Sequence, residues 1–117
     1  MRPDSMHDIA PADWRTFKQL RKVALERFCE RVLADVTRIA SDAAKSKHER
    51  YLAIYRLIEE RDAQIDPIFD TLRRSTAIRQ IVSFRSHDLL TAEELRQLSP
   101  ELVSRVEDIL EIYRRPL

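Results

Sequence analysis

From Pro11 onward, apolar residues recur at steps of three and four: Trp14, Phe17, Leu25, Phe28, Val32, Val36, Ile39 and Ala43, with Arg21 the only polar residue in the row. A mean spacing near 3.6 predicts one long, nearly straight helix from residue 11 to about residue 45. At 1.5 Å per residue it would be roughly 50 Å long. Pro11 suits its first position, where the missing N–H would have had no partner anyway. A second row, Leu20, Ala24, Cys29, Leu33 and Ala40, lies beside the first and widens the apolar face. One partner helix would leave much of that face in water, so further helices or a second chain must cover it.

Ser46 followed by Glu49 is the capping-box pattern and predicts the start of a second helix through "HERYLAIYRLIEERDAQI", with Leu52, Tyr55, Ile58 and Ile65 inward. Pro67 removes a backbone donor and disfavours helical geometry at Asp66, so the helix kinks or restarts there. Ile65, Ile68, Phe69 and Leu72 keep the apolar face going, and the pattern runs on through Ile78, Ile81 and Val82 to about Phe84. "RSHDLL" reads as a connection. Thr91 with Glu94 forms a second capping box, flanked by Leu90 and Leu95 as a hydrophobic staple. Ser99 can cap, and Pro100 can start, a final helix with Leu102, Val106, Ile109 and Tyr113 inward. Residues 1–10 read as a flexible polar tail and 11–117 as a single all-helical domain. The expected fold is all-α, a helical bundle built on a long antiparallel helical hairpin with two shorter C-terminal helices.

Composition narrows the chemistry. The 117 residues are 44% hydrophobic and 35% charged, which argues against wholesale disorder. Glycine is absent. That removes the cheap positive-φ positions of tight hairpins and the phosphate-cradling loops of dinucleotide and P-loop sites. A formal net charge of +1 supplies no global attraction for nucleic acid or an anionic membrane. One cysteine, Cys29, cannot form an internal disulfide and suits a reducing, cytoplasmic setting as an inert buried thiol. No apolar run reaches the ~18 residues of a membrane span, and the N-terminus lacks a signal-peptide core.

The stretch "IEERDAQIDPIFD", residues 58–70, packs five carboxylates around one arginine. Glu59, Asp62, Asp66 and Asp70 fall on one helical stripe. If the hairpin turns near residues 45–48, residue i faces residue 93 minus i. Asp62 then meets Arg31, Asp66 meets Arg27, and Asp70 meets Lys22 and Val23, close to Arg21. The expectation is a charge zipper of Arg21, Arg27, Arg31, Asp62, Asp66 and Asp70 that fixes register more than stability, at ~0.2–1 kcal/mol per exposed pair. Carboxylates also suit Mg²⁺ or Mn²⁺, but the Glu-x-x-His partner of a di-iron bundle is missing, so no metal or cofactor is expected.

Other chemistry is thin. His48–Glu49 lacks the second histidine of a zinc protease, since Leu52 stands in its place. His87–Asp88 is tied to no nucleophile. Arg73, Arg74 and Arg79, with Arg85, could contact phosphates, giving a nucleic-acid-binding regulator as the alternative reading. "LTAEELRQLSPELVSRVEDIL" resembles a helix-turn-helix through Thr91, Glu94, Leu95 and Val103–Val106, although Ser99–Pro100 leads straight into the next helix.

The outline, with the ending "LSPELVSRVEDILEIYRR", also resembles the all-α chorismate mutases, dimers built around one very long helix. That resemblance implies a third reading, a dimeric enzyme acting on a small anionic substrate. The family's Asp-x-x-Arg-Glu stretch is approached only by "ERDAQID", and Arg114–Arg115 stand where its glutamine would be, so no catalytic residue is carried over. The leading expectation is a non-enzymatic homodimer, helix one packed on its own copy, that works through an unidentified protein partner as adaptor, regulator or accessory subunit.

Overall fold

The computed structural model describes residues 9–69 and 72–114, and it is all-α. α1 runs Pro11–Ala40, α2 Lys47–Ile68, α3 Ala77–Ser86, α4 Ala92–Leu95 and α5 Pro100–Arg114, with a 3₁₀ turn at Arg74–Thr76 before α3. Three contacts trace α2 back along α1: Arg50 to the Ala40 carbonyl, Arg61 to Asp35, and Phe28 edge-on to Phe69.

Helix starts follow local chemistry. Pro11 opens α1, and the Ser46 hydroxyl and Glu49 carboxylate cap each other's backbone N–H at α2. Thr91 and Glu94 repeat the arrangement at α4, and Ser99 caps α5 through the Leu102 N–H. The staple residues Leu90 and Leu95 are both buried.

Helix ends differ from expectation. α1 stops at Ala40, five residues early, because the Ser41 hydroxyl bonds the Thr37 carbonyl and Asp42 accepts the Ala44 N–H, drawing the chain into a turn. Arg50 then satisfies the Ala40 carbonyl at 2.7 Å. α2 passes through Pro67 and ends one residue later, closed by Phe69 N–H on the Ile65 carbonyl at 2.6 Å. It does not continue to Phe84. The missing donor at Pro67 and the polar stretch Arg73–Thr76 end the apolar row, and α3 begins as a separate helix.

α3 ends without glycine. Leu89 N–H bonds the Phe84 carbonyl and Asp88 N–H the Arg85 carbonyl, which is the Schellman pairing. Asp88 takes the left-handed position at φ 55° that glycine usually fills.

Burial is concentrated at one end. Phe17, Leu20, Ala24 and Phe28 of α1, Ile68 and Phe69, Ala77, Ile81, Val82 and Phe84 of α3, and Leu102, Val106 and Leu110 of α5 form the core. An aromatic ladder runs through it: Trp14 on Phe17, Phe17 on Phe84, Phe84 on Phe69, Phe69 on Phe28, with centroids 5.5, 6.3, 5.1 and 5.8 Å apart. Tyr113, expected inward, is exposed, and Leu110 takes its place. From Cys29 to Pro67 no residue is fully buried. The molecule is therefore a packed head carrying a bare two-helix arm. Its radius of gyration is 17.7 Å, against about 13 Å for a compact chain of this length. Its longest extent is 63 Å.

Candidate functional site

The expected charge zipper does not form between α1 and α2. Arg27 instead reaches α4: its two terminal nitrogens each sit 2.6 Å from a Glu94 oxygen, and Nη1 also donates to the Leu89 carbonyl. Arg31 donates to the carbonyls of His87 and Asp88. Arg21 donates to Gln80 Oε1 at 3.2 Å and to the Phe69 carbonyl. Arg27 and Arg31 clamp α1 to the α3–α4 connection and α4, and Arg21 ties it to α3 and the end of α2. Arg27 holds the Glu94 carboxyl down at about 2, helped by the Thr91 N–H.

Asp62 and Asp66 are exposed and make no ion pair among the described residues. Asp70 lies outside the described residues. The cause is rotational: the arginines occupy the flank of α1 that meets the head, whereas Asp62 borders the opposite flank. The ion pair that does join the two long helices is Asp35–Arg61 at 2.5 Å, with Arg38 also on Asp35. Both arginines, Arg38 foremost, hold the Asp35 carboxyl below its usual range. That pair lies three residues off the expected register, nearly one helical turn.

The phosphate-contact row is also divided. Arg74 donates to the Ile9 carbonyl at 2.5 Å and Arg85 to the Leu90 carbonyl, so both serve the head. Arg79 lines a groove between α3 and α5, and Arg73 is exposed. The described residues contain no cluster of metal-ligating side chains.

The surface that stands out is the free flank of the arm. A groove of about 270 Å³ runs between α1 and α2, floored by Phe28, Val32 and Ile65 and edged by Cys29, Leu33, Ile58, Arg61 and Asp62. Cys29, expected buried, is half-exposed at its rim. Above it Leu33 is 64% exposed and Ile58 50%. Tyr55 and Tyr51, three and seven residues before Ile58, continue the same helical face at 56% and 65% exposure. Tyr55 and Ile58 were expected inward; α1 covers the other side of α2. Beyond Cys29 and Leu33, Glu26, Arg27 and Glu30 line a neighbouring surface of α1, and Glu59, Asp62 and Asp66 share one stripe on α2. The signal available in sequence was aromatic chemistry: phenylalanine and tryptophan fill the ladder, whereas Tyr51, Tyr55 and Tyr113 are all exposed.

Compared with protein-family models, curated proteins and solved structures, the chain matches none. No described helix is long and apolar enough to cross a membrane.

Proposed function

We propose that this protein works through protein–protein interaction, as an adaptor, regulator or accessory subunit, and that the free flank of its arm is the working surface. One observation carries the reading: Leu33, Tyr51, Tyr55 and Ile58 stand half or more exposed on one contiguous face. Exposed apolar patches of that kind mark interaction sites. Tyrosine suits them because its ring adds contact area and its hydroxyl tolerates water. The single cysteine and the absence of glycine-based phosphate loops agree with a cytoplasmic, non-enzymatic role.

The nucleic-acid reading has less support, because Arg74 is occupied within the head. The enzyme reading requires helix-one arginines open to an anion, but Arg27 and Arg31 are engaged by Glu94 and backbone carbonyls. The test is affinity capture from the native host, comparing the intact chain with Ile58→Asp. The reading expects enriched proteins to be lost with the variant. Identical capture by both chains would refute it.

A further inference from the structure

We infer that the flank is covered by a second copy of this chain, laid antiparallel across the arm with the two-fold axis near Tyr55. This deepens the interaction reading above and rests on it, and it moves the expected seam from helix one to α2. The first half of α1 is already covered by the head through Phe17, Leu20, Ala24 and Phe28. What remains open is mostly α2.

Charge along the arm identifies the occupant. At the tip, Lys45, Lys47 and His48 are exposed. Toward the base, Glu59, Asp62 and Asp66 are exposed. Between the two lies the apolar stretch of Tyr51, Tyr55, Ile58 and Leu33. The face therefore runs from cationic through apolar to anionic. A parallel copy would set like charge on like. An antiparallel copy sets tip on base twice, which is the self-complementarity a two-fold interface demands.

With the axis at Tyr55, residue j of one α2 lies near roughly residue 110 minus j of the other. His48 then falls beside Asp62, Lys47 between Glu59 and Asp66, and Leu52 beside Ile58. The α2 stripe has the matching seven-residue period: His48, Tyr55 and Asp62 at one position, Tyr51, Ile58 and Ile65 at the other. The size also suits. The arm flank is roughly 30 Å long and about two helix widths, or ~20 Å, across. Its relief brings that footprint to the order of the ~800 Å² per partner that a stable dimer takes.

The test is light scattering on the full chain from low micromolar concentration upward, with helicity followed by circular dichroism. The expected mass is twice 13.8 kDa. Tyr55→Arg should be monomeric with unchanged helicity. Lys47→Glu and Asp66→Lys should each raise the dimer Kd about tenfold, since the axis repeats every reversed pair. Their combination should restore it. A chain that is monomeric throughout, a dimer indifferent to Tyr55→Arg, or charge reversals that simply add would each overturn the second-copy inference.

Capture from host extract with Tyr55→Arg separates this failure from failure of the broader reading. A monomeric chain whose captured protein is lost on Tyr55→Arg has an interacting flank with a foreign occupant. A monomeric chain whose capture is unchanged has neither.

Discussion

Two carboxylates hold the head together by serving backbone as well as side-chain partners. Asp13, in the first turn of α1, is 6% exposed and accepts both the N–H and the hydroxyl of Ser99, at 2.8 and 2.6 Å. It thereby ties the start of α1 to the cap of α5. Asp13→Ala leaves both donors short of their acceptor and should cost about 2 kcal/mol in denaturant unfolding. Glu94 closes its own capping box and takes Arg27 at the same time. Its carboxyl falls from an ordinary 4.5 to about 2, so the folded state prefers it charged. That stability is fully present above about pH 4.5 and is lost as the pH falls toward 2. The pair is partly open to water, so Glu94→Gln should cost about 1 kcal/mol at pH 7. In pH-dependent unfolding the gap between wild type and variant should close as pH 2 is approached. A constant gap would remove the ion pair as its source.

At the scale of elements, the ends of helices are handled without glycine. Asp88 accepts the strain of a positive φ so that Leu89 and Asp88 can close the carbonyls of Phe84 and Arg85. Asp88→Gly should raise stability by up to about 1 kcal/mol, and Asp88→Val should lower it by about 1–2 kcal/mol. Equal stability of the two variants would contradict the left-handed assignment. The capping boxes at Ser46 and Thr91 and the Pro100 start were legible in sequence, because each is closed by residues three positions apart. An interruption at Pro67 was legible too, but not that the helix ends at Ile68 and resumes only at Ala77. Ile65, Ile68, Phe69 and Ile78 are all partly or wholly buried, so their periodicity continues across a turn where the helix does not.

At the scale of the molecule, the head and arm differ in how they are stabilised. Head positions such as Phe84 and Ile81 are fully buried, and Phe84→Ala, which breaks the aromatic ladder in its middle, should cost about 3–5 kcal/mol. The arm from Cys29 to Pro67 has no fully buried residue, so its opening is opposed by far less buried area. In the Tyr55→Arg chain, amide exchange should therefore be faster through residues 33–60 than through α3 and α5. In the intact chain at high concentration the arm should be protected. Uniform exchange in the variant would show that the arm is not a separately opening unit.

The sequence by itself determined the all-α class, the starts of α1, α2, α4 and α5, and the wide apolar surface of the long helices. Those features arise from contacts within one turn and from a period of 3.6, both written into neighbouring positions. Only the tertiary structure decided what each face meets. Periodicity marks Tyr55 and Ile58 as apolar but not which side of α2 is covered, and charge marks Arg27 as a partner-seeker but not whether Asp66 or Glu94 answers it. Those choices depend on helix rotation and on where the chain turns, at Ala40 and Ile68. Helix rotation, with Arg27 and Arg31 turned to the head and Asp62 and Asp66 left exposed, was enough to leave the acidic stripe facing outward.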